Sequence, residues 1–86
     1  MPELTTPLDL EDLRATIAEV IDVDVAEVTD TADFKETLDV DSLLALEILV
    51  TLERKYGVKL SESNLQKVRS LQETYALLVE QFEASS

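Results

Sequence analysis

The stretch SLLALEILVTLERKYG, residues 42–57, decides the fold because it carries an apolar pattern of helical period and a clear stop signal. Gly57 ends the pattern, and glycine is the residue that most readily takes the left-handed conformation beyond a helix C-terminus. We therefore predict a helix from about Ser42 to Tyr56. On a wheel of about 3.6 residues per turn, one stripe of this helix forms an ordinary core face. That core face consists of Ala45, Ile48, Leu49, Leu52 and Tyr56.

The same helix has a second apolar stripe, made of Leu43, Leu46 and Val50, about 130° away from the first. Two interpretations of this stripe stay open on the sequence. The helix is either central, with neighbours packed on both sides, or the second stripe is partly exposed and receives a partner or bound cargo. In the second case Glu47 and Glu53 would form a charged rim that sets the rate of encounter.

The segments on either side of this stretch also read as helices. Asp9 precedes an apolar period that runs to about residue 22, and Ser70 and Glu73 form a capping box in front of another. Residues 58–60 read as a short extended link, followed by a short helix from Ser61 or Ser63 to about Val68. The apolar faces of the first and last helices are Leu10, Leu13, Ile17, Val20 and Ile21, and Leu71, Tyr75, Leu78, Val79 and Phe82.

The fold class follows from these helices and from the scarcity of turn formers, with one glycine and two prolines. We predict an all-α protein, a small four-helix bundle with three longer helices and one short third helix. A long acidic loop, residues 23–40, joins the first two helices, and Val28, Phe34 and Leu38 are predicted to pin it to the core. No register of its aspartates supplies both the glycine and the glutamate of an EF-hand, so we predict no metal site.

Composition limits the number of domains and the kinds of partner that the chain can have. The chain has 86 residues, 45% of them hydrophobic, which predicts one domain over residues 1–86 with an ordered core at about 9–82. It contains no cysteine, and 19 acidic residues against 7 basic ones give a net charge of −12. Such a surface repels nucleic acid and favours protein partners with basic patches. The sequence shows neither a membrane span nor a signal peptide, so we expect a free-standing cytoplasmic monomer.

Ser42 is the residue whose chemistry needs explaining. A serine nucleophile requires an adjacent base, usually a histidine, and this chain has no histidine. Lys35 has nothing in the sequence to orient it as a base, so we predict no catalytic residue and no enzymatic activity. The hydroxyl can cap the helix, or another enzyme can modify it. A phosphate ester at the first turn of a helix would be stabilised by unpaired N–H groups and the positive dipole end.

The tripeptide Asp-Ser-Leu at 41–43, opening an apolar helix after a long acidic loop, resembles the motif of acyl carrier proteins. The resemblance covers about residues 9–82. It implies that Ser42 carries 4′-phosphopantetheine, derived from coenzyme A, through a phosphodiester. It also implies that Asp41 helps present the site to a phosphopantetheinyl transferase. The arm would supply the thiol that this cysteine-free chain lacks. Acyl thioesters would then pass between a ketosynthase and other acyl-processing enzymes.

Three departures from the family pattern bear on the pathway. Asp39 stands where the family often has glycine, Leu44 stands where fatty-acid carriers usually have an acidic residue, and Arg54 and Lys55 interrupt an acidic cluster. These favour a polyketide or related specialised pathway over primary fatty-acid synthesis, which remains the alternative. A peptidyl carrier usually has a glycine pair at the positions of Asp39 and Val40. The alternative from another class is an unmodified acidic adaptor that binds proteins through Leu43, Leu46 and Val50.

Overall fold

The computed structural model describes residues 9–85, and this part of the chain contains helices and no strand. The predicted all-α bundle of three longer helices and one short third helix is confirmed. The third helix is of the 3₁₀ type, and a further 3₁₀ turn lies in the long loop. In chain order the elements are α1 (Leu10–Ile21), a 3₁₀ turn (Val25–Glu27), α2 (Ser42–Tyr56), a 3₁₀ helix (Glu62–Lys67) and α3 (Leu71–Ser85).

Helix α2 begins and ends at the predicted residues. Asp41 is its N-cap and accepts a hydrogen bond of 2.9 Å from the Leu44 N–H to its side chain. Gly57, with φ +66°, is its C-cap and donates its N–H to the Glu53 carbonyl at 2.9 Å. Asp9 occupies the N-cap position of α1 as predicted, but its side chain makes no capping bond.

The core lies between the apolar faces of the three helices, and most of the predicted face residues are found there. On α2, Ile48, Leu49, Leu52 and Tyr56 are buried, whereas Ala45 is only partly buried. The predicted face of α3 omitted Leu77, which is buried beside Leu78. Buried residues of α1 and α3 are Leu13, Thr16, Ile17, Ala18, Ile21, Leu71, Thr74, Leu77 and Leu78.

The long loop between α1 and α2 is pinned as predicted by Val28 and Phe34, both almost fully buried, and by the partly buried Leu38. The sequence predicts no regular structure in this loop, whereas the structure contains the 3₁₀ turn there. In that turn Asp24 donates its N–H to the Glu27 carboxylate at 3.3 Å, and its backbone carbonyl accepts the Glu27 N–H at 2.9 Å. An acidic residue followed by glutamate three positions later is a short capping pattern that could have indicated this turn.

A polar contact joins α1 to α2 at the edge of the core. The Tyr56 hydroxyl donates to the Asp12 carboxylate at 2.7 Å, and the Lys55 ammonium lies 3.2 Å from the same group. The hydrogen bond from Tyr56, followed by contact with Lys55, holds the pKa of Asp12 below its usual value. Burial, followed by the bond to Asp12, raises the pKa of Tyr56. Both shifts favour an ionised Asp12 and a protonated Tyr56, which are the states that the hydrogen bond requires.

We expect Tyr56→Phe to lower the free energy of unfolding at pH 7 by about 1 kcal/mol, since it removes one hydrogen bond to a half-exposed carboxylate. Because the folded pKa of Asp12 is depressed, its contribution is present above the unfolded value of about 4 and is lost as the pH falls through the folded pKa. The difference from wild type should therefore shrink in acid. Urea denaturation at several pH values measures it. Tyr75→Phe on α3 is the control, and an equal loss there would contradict the role of the Asp12 bond.

Candidate functional site

Ser42 is the first residue of α2, and its side chain is exposed. The N-capping bond to Leu44 comes from Asp41, so the interpretation of Ser42 as the cap is wrong. Among the described residues, no hydrogen bond engages the Ser42 hydroxyl. Its first-turn position also places it beside backbone N–H groups that have no acceptor within the helix. The hydroxyl is consequently free to react and lies where an attached anion is stabilised.

The loop that leads into Ser42 is held by backbone hydrogen bonds. The Phe34 N–H donates to the Arg69 carbonyl, and the Val40 N–H donates to the Phe34 carbonyl, both at 2.8 Å. Between them Asp39 adopts φ +58°, in the left-handed region that suits glycine and that aspartate tolerates better than most residues. This conformation turns the chain into the start of α2.

A cavity of about 500 Å³ opens beside Ser42, between the loop, the start of α2 and the 3₁₀ helix. Cavities of this size hold small ligands in proteins. Sequence reasoning missed this feature, because its walls come from three separated segments. The lining residues are Asp33, Lys35, Glu36, Asp41, Ser42, Ala45, Leu65, Gln66, Val68 and Arg69.

The second stripe of α2 is not fully packed. Leu43 is 67% exposed and Val50 is 39% exposed, whereas Leu46 is partly buried against the core. The interpretation that the second stripe is partly exposed therefore holds for Leu43 and Val50. Leu46, Glu47, Val50 and Thr51 line a shallow depression on this face. The stripe thus offers an apolar surface that begins beside Ser42, with Leu43 as its most exposed member.

The two predicted rim carboxylates differ in their surroundings. Glu47 is exposed, as a rim residue should be. Glu53 is partly buried, and its carboxylate accepts the Leu60 N–H at 2.8 Å, which ties the link at residues 58–60 to α2. Glu53 therefore has a structural role in the fold, and the docking role of Glu47 and Glu53 stays a prediction.

The arrangement suits a serine that receives a group from another protein. Of the residues that the structure describes, none forms a hydrogen bond that would activate the Ser42 hydroxyl, and no group of three acidic side chains is placed to hold a metal ion. An exposed hydroxyl next to a cavity and an exposed apolar stripe can instead anchor a covalently attached arm. No helix in residues 9–85 is both long enough and apolar enough to cross a lipid bilayer.

Comparison with known proteins identifies the family. Residues 11–78 match the family described as the phosphopantetheine attachment site. Polyketide-8 synthase acyl carrier protein 2 of Streptomyces avermitilis is 63% identical over 79 residues, which cover 91% of each chain. The chain belongs to the acyl carrier protein family. The resemblance predicted from the sequence is thereby confirmed.

Two further acyl carrier proteins are similar to this chain at lower identity. Polyketide-8 synthase acyl carrier protein 1 of S. avermitilis is 35% identical over 80 residues, covering 90% of this chain and 95% of its own. An acyl carrier protein of Helicobacter pylori is 41% identical over 58 residues, covering 67% of this chain and 74% of its own. Both polyketide synthase carriers are thus similar to this chain over about nine-tenths of its length.

Family membership implies a covalently attached 4′-phosphopantetheine and partners among synthase and transferase enzymes. The predicted cofactor is therefore confirmed at the level of the family. The site fits such a group, because Ser42 presents an unengaged hydroxyl and the adjoining cavity is walled by apolar side chains and by charged side chains of both signs. In acyl carrier proteins the attached arm supplies a thiol that holds acyl groups as thioesters.

Proposed function

We propose that Ser42 is the attachment site in this acyl carrier protein, and that the arm on Ser42 shuttles acyl intermediates between enzymes of a polyketide pathway. The free hydroxyl of Ser42 at the start of α2 carries this assignment. In the loading step the Ser42 Oγ forms a bond to the phosphorus that bears the pantetheine of coenzyme A. The bond from that phosphorus to adenosine 3′,5′-bisphosphate breaks, and the serine proton passes to a base of the transferase.

The polyketide assignment draws support from the similarity to the two Streptomyces avermitilis carriers and from Leu44, Arg54 and Lys55, which make α2 less acidic. We propose that the chain is a non-enzymatic monomer that acts as a single carrier domain in the cytoplasm. Its proposed partners are a phosphopantetheinyl transferase, a ketosynthase and other acyl-processing enzymes. A carrier of primary fatty-acid synthesis is the alternative within the family.

Incubation with a phosphopantetheinyl transferase and coenzyme A tests the carrier role. Intact-mass measurement should show one phosphopantetheine adduct per chain, whereas an unmodified adaptor would gain none. The loaded protein can then be offered to a polyketide ketosynthase and to a fatty-acid ketosynthase under equal conditions. Faster acyl transfer by the polyketide enzyme supports the pathway assignment. Equal or faster transfer by the fatty-acid enzyme would favour the alternative.

The second stripe of α2 is proposed to be the docking surface for these enzymes. Burying a leucine side chain at an interface contributes about 1.5–3 kcal/mol. Leu43→Ala should therefore weaken transferase binding about tenfold, since about 1.4 kcal/mol corresponds to that factor. Its free energy of unfolding should change by less than about 0.5 kcal/mol because Leu43 is exposed. Titration calorimetry and urea denaturation give the two quantities on one protein.

Leu46→Ala is a less clean probe, because Leu46 also packs against the core and its truncation should lower both stability and affinity. A valine pair supplies the matched control. Val50→Ala removes an exposed apolar group from the stripe, and Val25→Ala removes one from the first 3₁₀ turn, where the side chain is 46% exposed. Weakened binding in Val50→Ala alone supports docking on the stripe. Full affinity in both Leu43→Ala and Val50→Ala would disprove it.

A further inference from the structure

Two cationic side chains line the cavity beside Ser42 in a chain whose net charge is −12. Lys35 comes from the long loop and Arg69 from the segment before α3, and the bond from the Phe34 N–H to the Arg69 carbonyl keeps these segments together. Both side chains are exposed, and no ion pair within the described residues engages either of them. By contrast, Arg14 pairs with Glu11 and Asp30. Lys35 and Arg69 are thus available to an external anion.

Three carboxylates, those of Asp33, Glu36 and Asp41, line the same cavity, so attraction for an anion is local to Lys35 and Arg69 and not a property of the cavity as a whole. The Asp33 carboxylate accepts the N–H groups of Lys35 and Glu36 at 2.9 and 3.0 Å. The Asp41 carboxylate accepts the Leu44 N–H at 2.9 Å. These two carboxylates are oriented towards backbone donors, which stabilise their charge locally. Glu36 remains as the acidic side chain of the cavity without such a bond in the described structure.

We propose that Lys35 and Arg69 bind the phosphodiester of the arm attached to Ser42 and thereby hold the arm against the cavity. Ser42 is itself part of the cavity wall, so an anion esterified to its hydroxyl enters the region that the two cations line. The apolar wall formed by Ala45, Leu65 and Val68 then accepts the uncharged part of the arm. Lys35 and Arg69 act as positioning residues for the arm. The inference rests on the proposed attachment at Ser42.

The sign of the stability change on loading distinguishes this arrangement from a freely moving arm. Adding one more negative charge to a strongly acidic chain should lower its melting temperature through self-repulsion. If Lys35 and Arg69 bind the phosphodiester, loading should raise the melting temperature instead. Since exposed charge contacts are screened by salt, the rise should diminish as ionic strength increases.

The experiment compares melting temperatures of the unloaded and loaded forms of four proteins: wild type, Lys35→Gln, Arg69→Gln and the double variant. At low salt, wild type should gain about 2–4 °C on loading, since an exposed charge contact contributes roughly half of the ~1 kcal/mol that shifts a domain of this size by about 4–8 °C. The double variant should show no gain or a loss, and each single variant an intermediate value. Lys59→Gln, which removes an exposed charge outside the cavity, should keep the full gain.

Amide chemical shifts give a second measurement on the same samples. Loading of wild type should shift the ¹H–¹⁵N signals of Lys35 and Arg69 and leave that of Lys59 in place. A loading-induced change in melting temperature that is equal in wild type and the double variant would overturn the inference. So would a gain that persists in about 0.5 M salt, because an apolar contact would then explain it. A missing mass adduct on wild type would instead disprove the attachment at Ser42, so the two failures are distinct.

Discussion

Ser42→Ala should abolish phosphopantetheine loading completely, because it removes the oxygen that forms the phosphodiester. Intact-mass measurement after incubation with transferase and coenzyme A should show the unmodified mass alone. Ser61→Ala and Ser63→Ala are the matched controls, since both serines are exposed like Ser42 but lie at the start of the 3₁₀ helix and not at the start of α2. Each should load like wild type. An adduct that survives Ser42→Ala, or that is lost in either control, would refute the assignment.

The stability of Ser42→Ala separates loss of the attachment site from loss of the fold. Because Asp41 makes the N-capping bond, the alanine variant should unfold within about 0.5 kcal/mol of wild type. Asp41→Ala should instead cost about 0.5–2 kcal/mol, the usual range for a lost N-cap. Urea denaturation of both variants checks this division of roles. A larger loss in Ser42→Ala than in Asp41→Ala would contradict it.

The helices were predictable because their signals are local. Helix α2 has its cap at Asp41, its apolar period and its stop at Gly57 within 17 consecutive residues. Ser70 directly precedes α3, and its Oγ accepts the Glu73 N–H at 3.2 Å. Short-range hydrogen bonds of this kind require no knowledge of the rest of the fold.

Features that depend on residues distant in the sequence could not be predicted in the same way. The contact between the loop and the segment before α3, through Phe34 and Arg69, creates the cavity beside Ser42. The sequence predicts Glu53 as part of the charged rim, but periodicity does not reveal that its carboxylate also accepts the Leu60 N–H. Both cases concern partners that only the packed chain brings together.

The exposure of the second stripe of α2 also required the structure. An apolar stripe of helical period indicates that a surface avoids water, but it does not say whether the chain itself covers that surface. In this bundle α1 and the 3₁₀ helix pack against α2, while Leu43 and Val50 stay exposed. The number and placement of neighbouring helices, rather than the pattern within α2, therefore decide which stripe is free for partners.

The loop that presents Ser42 should contribute strongly to global stability through Phe34. This side chain is 1% exposed, so Phe34→Ala should lower the free energy of unfolding by about 3–5 kcal/mol through lost burial and a residual cavity. Small domains are stable by only about 5–15 kcal/mol, so much of the total stability is at risk. Urea denaturation followed by circular dichroism measures the change. Lys35→Ala, the exposed neighbour, should change the free energy of unfolding by less than about 0.5 kcal/mol.

The size of this loss determines how the attachment site is held. Phe34 also accepts the Val40 N–H and donates to the Arg69 carbonyl, so its position fixes both the approach to Ser42 and one wall of the cavity. A loss of several kcal/mol would mean that the loop unfolds only together with the helices, and that Ser42 is presented from a rigid base. A loss below about 1 kcal/mol would mean that the loop opens independently of the core. In that case the loop would adapt to each partner enzyme, and rigid presentation of Ser42 would be disproved.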